Sequence, residues 1–277
     1  MTTSSDFFVR FWGVRGSIPC CSPDYLRYGG NTSCLEIRCG DYLMIFDAGT
    51  GIRPLGKSLV TKLPVAADIF FTHTHLDHIL GMPFFAPLYK PGSKIRIWSG
   101  HLEAPMTFRD AIGHLMAPPL FPVPPTVFIS EPELHDFHAG ETLHPQAGVT
   151  LRTVPLNHPN GATGYRVEFG GKSICYITDN EHTPAGPDPR LLDLLRGTDI
   201  FIYDTSYTDE EYPTYEGWGH STWQEGVRLA DAAGAKQLVL FHHDPSHNDA
   251  TMDRISAAAV AARPGTATAQ EGMILRP

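Results

Sequence analysis

The amino-acid sequence predicts an α/β fold in a single domain over residues 1–277, with sheets inside and helices outside. Three observations carry this expectation. Short apolar and β-branched runs bounded by Gly, Asp or Pro dominate the earlier part of the chain, as strands do. Helix-like and strand-like segments alternate in the later part. No composition break, linker or internal repeat divides the two.

The elements follow in order. Phe7-Phe8-Val9-Arg10-Phe11-Trp12 is an aromatic and β-branched strand over 7–12, ended by Gly13. Strands over 33–37 and 42–46 are joined by the turn Cys39-Gly40-Asp41. A helix over 52–63 precedes a short buried strand over 68–71. The Pro-rich text of 82–125 holds a strand at 94–98 and a helix at 102–115, and is expected to be the most irregular part of the fold. Strands over 126–130, 149–154, 164–169 and 173–177 come next, the last two joined by Gly170-Gly171 as a hairpin turn. The alternating part reads as helix 189–195, strand 200–203, helix 222–233, strand 237–241 and helix 251–262.

A net charge of −9 argues against nonspecific wrapping of nucleic acid, which needs a broad basic face. It leaves room for an anionic substrate at a metal ion, where the ion supplies the local positive charge. The five cysteines have no CxxC spacing and read as reduced thiols. No basic and apolar leader opens the sequence, and no apolar run approaches the roughly 18 residues of a membrane span. The expectation is a cytoplasmic protein with no membrane partner.

The densest chemical signal is Thr72-His73-Thr74-His75-Leu76-Asp77-His78, directly after Ile69-Phe70-Phe71. An extended segment aims His73 and His75 to one side, and a following helical turn aims Asp77 and His78 at a neighbouring point. That suits two adjacent metal ions better than one. Histidine and aspartate packed this densely at a strand exit are costly unless something coordinates them.

HTHLDH resembles the HxHxDH signature of the metallo-β-lactamase superfamily, a four-layer αββα sandwich with its metal site at one edge. The other motifs occur in order: Asp47 in Phe46-Asp47-Ala48-Gly49, His158 in Leu156-Asn157-His158-Pro159, Asp179 in Tyr176-Ile177-Thr178-Asp179, and His242 after Leu238-Val239-Leu240-Phe241. The resemblance implies two divalent cations, zinc by default, with manganese or iron admitted by the nitrogen and oxygen donors. It implies one ion on His73, His75 and His158, a second on Asp77, His78 and His242, Asp179 between them, and Asp47 as a buttress. His243 competes with His242, and only the analogy decides for His242. The remaining histidines, His101 among them, read as surface or structural.

Gly219-His220-Ser221-Thr222, preceded by Tyr203-Asp204-Thr205-Ser206-Tyr207, resembles a segment of the phosphodiesterase branch, which includes ribonuclease Z and a cyclic phosphodiesterase. There a histidine at the place of His220 contacts the scissile phosphate and an acid, here Asp204, orients it. His220, Asp204 and Asp77 are the expected catalytic set. Asn31, Arg15 and Tyr207 are the expected substrate contacts. The implied reaction is attack on phosphorus by hydroxide from a water whose pKa the cations lower toward about 7, with His220 protonating the leaving oxygen. The expected partner is a small phosphodiester such as a cyclic nucleotide or cyclic phosphate, with the charge arguing against nucleic acid. A homodimer is a further partner the resemblance implies. The alternatives are a ribonuclease Z-like 3′-processing endonuclease and a metal-dependent oxidoreductase on the same scaffold.

Overall fold

The computed structural model describes residues 6–277. Two seven-stranded sheets face each other. The first contains β1 (Phe7–Gly13), β2 (Cys34–Cys39), β3 (Tyr42–Phe46), β4 (Ala66–Phe71), β5 (Lys94–Ser99) and β6 (Glu133–Asp136), with β14 (Ile274–Leu275) on the edge beside β1. The second contains β7 (Thr142–Leu143), β8 (Val149–Leu156), β9 (Ala162–Phe169), β10 (Lys172–Ile177), β11 (Ile200–Asp204) and β12 (Gln237–Phe241), with β13 (Ala267–Thr268) on its edge. Each sheet is mixed. From β3 to β6 and from β10 to β13 the neighbours run parallel, and the other pairs are antiparallel.

Three apolar layers account for the sandwich. Phe11, Phe46, Phe70, Tyr165, Tyr176 and Phe241 fill the space between the sheets. On the outer face of the first sheet, Ile45, Ile69 and Phe71 pack against α1 (Ile52–Leu59) and α3 (Phe108–Leu115) through Ile52, Leu55, Phe108 and Ile112. Outside the second sheet, Ile177, Phe201 and Leu238 pack against α4 (Pro189–Leu195), α6 (Trp223–Ala233) and α7 (Asp249–Ala262). The central strands are covered on both faces, which is why β11 and β12 read as continuous apolar runs.

The strand expected over 126–130 is instead a 3-10 turn, Pro125–Val127. Pro124 and Pro125 lack the N–H a ladder needs, and Phe128 is buried in the outer layer. The sixth strand begins after Pro132, at Glu133. The helix expected over 102–115 is confined to Phe108–Leu115, because Thr107 and Asp110 close a capping box at its start. The helix expected over 52–63 ends at Leu59 and tightens into a 3-10 turn before Pro64. The Gly170-Gly171 turn joins β9 to β10 with both residues at positive φ, the requirement of a type I′ hairpin.

Candidate metal centre and active site

The proposed ligands and their buttress Asp47 gather where strands end. Asp47 follows β3, His73 lies two residues past β4, His158 two past β8, Asp179 two past β10, and His242 directly past β12. Asp47, Asp179 and His242 all have left-handed backbones, φ 61°, 56° and 62°. Such residues are uncommon and concentrate at functional sites. After β4 the chain stays extended through His75 (φ −63°, ψ 156°), then turns into α2 (Leu76–Ile79). The turn buries Asp77, His78 and Ile79 and leaves Leu76 outside.

Two main groups of donors result, His73, His75 and His158 in one and Asp77, His78, Asp179 and His242 in the other; His220 joins two further, overlapping groups, with His158 and Asp179 and with Asp204 and His242. Asp179 faces both. Its Oδ1 lies 3.9 Å from His73 Nε2 and 3.7 Å from His158 Nε2, while its Oδ2 lies 3.2 Å from His78 Nε2 and 3.4 Å from His242 Nε2. Asp77 Oδ2 is 3.2 Å from both His78 Nε2 and His242 Nε2.

The outer nitrogen of each imidazole is held. His78 Nδ1 donates to Asp47 (2.9 Å), His158 Nδ1 to the Gly219 carbonyl (2.8 Å), and His75 Nε2 to Asn160 Oδ1 (3.2 Å). His242 Nδ1 meets Ser206 Oγ at 3.1 Å and His73 Nδ1 meets Thr72 Oγ1 at 3.1 Å. These partners fix the tautomers and turn the lone pairs inward, as around bound metals. His158 Nε2 and His75 Nδ1 then face each other at 3.0 Å as two acceptors, with each ring's proton committed elsewhere. His73 Nε2 and His78 Nε2 are buried with no hydrogen-bond partner at all. Inward-facing lone pairs beside ionised carboxylates fit divalent cations, and the N/O donor set suits zinc, manganese or iron.

The electrostatics divide the cluster: against burial, Asp77 and Asp179 hold His78 well above the ordinary imidazole range, and Asp179 and Asp77 raise His242. Burial, with His78 close by, holds His73 well below the ordinary imidazole range, and burial lowers His158. Burial alone would raise Asp77 and Asp179, yet the surrounding imidazoles, His78 and His242 foremost, hold both well below the usual carboxylate range. Asp47 accepts from Thr72 N (2.8 Å) and from the Tyr176 hydroxyl (2.8 Å) as well as from His78. Tyr176 belongs to the second sheet, so this one carboxylate ties both halves of the sandwich to the ligand loop.

His220 stands over the same cluster. Its Nδ1 is 3.0 Å from Asp204 Oδ2 and 3.6 Å from Asp179 Oδ1. Asp204 is fully buried and its Oδ1 accepts from Ser206 N and Oγ. Burial works against charge on the His220 ring, but Asp204, by charge and hydrogen bond, pushes it up to about 9. With Nδ1 on Asp204, Nε2 is the nitrogen left to hand a proton outward. Thr222 caps α6 by accepting from Glu225 N, which anchors the segment carrying His220.

Three expected substrate contacts are turned elsewhere. Arg15 is fully buried, with Nε on the Gly29 carbonyl and one amino group on the carbonyls of Asp244 and His247. Its charge serves main-chain acceptors and not a phosphate. Asn31 is held by Glu271 through both main chain and side chain. Tyr207 is buried, stacked on Tyr215 at 4.3 Å and edge-on to His220 at 6.0 Å, so its face is already covered. His243 Nε2 lies on the Ala269 carbonyl, away from the donors that His242 joins.

Sequence reasoning also passed over several contributors. His101 is buried and bonds Thr74, between His73 and His75, at 3.1 Å. Ser17 N donates to Asp77 Oδ2 at 2.8 Å. Next to it, a Cβ on Gly16 would lie 2.3 Å from the His242 ring. Gly16→Ala is expected to push that ring aside and weaken metal binding by about 10–100-fold, measured as cation retained after dialysis while circular dichroism stays unchanged.

Residues 43–243 match the family model of the β-lactamase superfamily domain. The chain belongs to the metallo-β-lactamase superfamily. It is similar to ribonuclease Z of Myxococcus xanthus, 24% identical, over 79% of this chain and 83% of that one. Among solved structures it resembles a diphosphatase from the PhnP family (TM-score 0.72, 19% identity, 98% of each chain). It also resembles the short form of human tRNase Z (TM-score 0.68, 21% identity, 97% of this chain and 98% of that one). This superfamily member is a hydrolase of the phosphodiesterase and ribonuclease Z-like group, whose fold implies divalent metal ions. The expectation that nucleic acid is an unlikely partner is not borne out, since relatives carry a ribonuclease's name. No described helix is long and apolar enough to cross a membrane.

Proposed function

We propose that this protein hydrolyses a small phosphodiester, with a cyclic nucleotide or cyclic phosphate as substrate, using two divalent cations, zinc foremost. The observation that carries the reading is His220, oriented by buried Asp204 and set 3.6 Å from Asp179. A cluster that only stored metal, or worked by redox, has no use for a proton donor placed there.

His73, His75 and His158 would hold one cation, Asp77, His78 and His242 the other, with Asp179 between. Bound there, the cations supply Lewis acidity toward the phosphoryl oxygens and a water acidic enough to act near neutral pH. The chain's own residues do the rest. Asp204 keeps His220 protonated and fixes its tautomer, and Nε2 delivers the proton to the departing oxygen. His75 lies on the less buried side of the cluster, which gives substrate its approach.

Size selection follows from what surrounds the site. The 82–125 segment lies against the first sheet through Phe85, Leu88, Phe108 and Ile112, all buried, and carries only four Lys or Arg. Trp218 is 63% exposed two residues before His220, edge-on to Tyr215 at 5.5 Å. A ring presented beside the proton donor suits a heterocyclic base. Trp218→Ala is expected to lower kcat/KM about 5- to 100-fold for a cyclic nucleotide, at the roughly 1–3 kcal/mol of a base–aromatic stack. A cyclic phosphate without a base should be unaffected.

The ribonuclease Z-like reading draws on the names of the relatives. One panel separates the two: metal-loaded enzyme with bis(p-nitrophenyl) phosphate, cyclic nucleotides and precursor tRNA. Higher kcat/KM on a cyclic nucleotide supports the proposal. Preferential cleavage of precursor tRNA transfers it to the ribonuclease reading, and metal without turnover of any diester removes both.

A further inference from the structure

Glu181 lies two residues past Asp179, on a loop, and reads in sequence as an ordinary solvated acid. Its surroundings are different. Oε1 accepts from Gly217 N at 2.6 Å and from the Tyr212 hydroxyl at 2.9 Å, and Oε2 accepts from Gly219 N at 2.9 Å. One carboxylate thus grips the amides on either side of Trp218. Both glycines have φ 88°, so the loop closes as a tight bend with Trp218 at its tip.

The next links lead to the chemistry. Gly219 is held from both ends of its main chain, its N–H by Glu181 and its carbonyl by His158 Nδ1. A Cβ there would lie 2.2 Å from the His158 ring, so the approach requires glycine. His220 is the following residue. The main chain of Glu181 is tied in turn to Asn157, its N–H on the Asn157 carbonyl at 2.8 Å and its own carbonyl accepting from Asn157 Nδ2 at 2.9 Å. Three loops that are far apart in sequence, carrying His158, Asp179 and His220, therefore meet at this residue.

The residue type matters. A carboxylate only accepts, so both oxygens can face N–H groups at once, whereas a glutamine must turn an NH2 toward one of them. Gly217 is exposed and its amide could bond water instead, whereas Gly219 is buried and its N–H depends on Glu181 for a partner. What the two contacts add is a fixed place for the loop, and a proton donor out of position by 1 Å can cost about 100-fold.

We propose that Glu181 is a positioning residue that holds the Gly217–His220 loop so that His220 reaches the leaving oxygen. The proposal rests on the phosphodiesterase reading. In the metal-loaded enzyme, Glu181→Ala should speed amide hydrogen exchange in 217–219 at least about tenfold. It should lower kcat about 10- to 100-fold for a diester with an alkyl leaving group, with KM nearly constant. Bis(p-nitrophenyl) phosphate, whose leaving group departs without a proton, should lose far less, so the ratio of the two rates shifts. Glu181→Gln, keeping one good acceptor, should fall between. A parallel drop on both substrates with a lower melting temperature would mean a merely structural role and overturn the proposal, as would unchanged exchange in 217–219. If the wild-type enzyme turns over no diester, the functional reading fails, and the exchange measurement still decides whether Glu181 holds the loop.

Discussion

His220→Ala is expected to lower kcat on diesters with alkyl leaving groups by about 10²–10⁴-fold, with KM changed little. The ring sits at the edge of the cluster and also groups with His158 and Asp179 and with Asp204 and His242, so metal content is measured alongside and should stay that of the wild type if His220 acts as proton donor and not as ligand. Bis(p-nitrophenyl) phosphate should be hydrolysed with a smaller loss. The pH dependence gives a second reading. Asp204 pushes the His220 imidazole up to about 9, so the donor is protonated below that value and loses its proton as pH rises through it. Neighbouring cations would pull the value down. The alkaline limb of kcat is therefore expected at or below about pH 9, and it should vanish in His220→Ala. A limb that persists in the variant would assign it to another group. An equal loss on both substrates would deny His220 the proton-donor role.

Asp179→Ala should have the larger effect on the centre itself. Each oxygen of this carboxylate faces a different donor group, and the side chain is almost completely buried among His73, His78, His158, His220 and His242. Its removal would take away the one carboxylate that faces both donor groups and leave the imidazoles crowded without their counter-charge. The variant is expected to lose at least half of its bound metal and to fall to background hydrolysis. Breaking buried pairs from one side typically costs about 3–5 kcal/mol, so a drop in melting temperature is expected too. Metal analysis by mass spectrometry, with the phosphodiester assay and calorimetry, reads all three. A variant that retained full metal and turnover would remove Asp179 from the centre.

The donor cluster was legible because a coordinating role restricts residue type and spacing together. HTHLDH places four donors within six residues of a strand end, and no packing argument asks for that sequence. The central strands were legible for a related reason, since Ile200–Asp204 and Gln237–Phe241 are buried on both faces and their text is nearly all apolar. The edge strands Ala267–Thr268 and Ile274–Leu275 carry two residues each, too short for any period to show. Arg15 was misread because a buried guanidinium on main-chain carbonyls and a solvent-facing one awaiting phosphate look identical in sequence. Asn31 depends on Glu271 and Glu181 on Gly217 and Gly219, partners whose proximity only the fold creates. Motif text shows which donors are present; long-range contacts decide where the rest of the side chains point.

The left-handed backbones of Asp47, Asp179 and His242 restrict how this centre could be retuned toward another metal. Asparagine, aspartate and histidine tolerate that conformation better than other side chains, while β-branched or bulky residues resist it. At Asp179 and His242 an exchanged donor would have to satisfy the ion and an unusual main chain simultaneously, and at Asp47 a replacement would have to keep the contact with His78 on the same kind of backbone. The remaining ligands are under no such double demand. Any natural or engineered drift in ion preference should therefore begin on the HTHLDH segment or at His158, with the three left-handed residues the last to change.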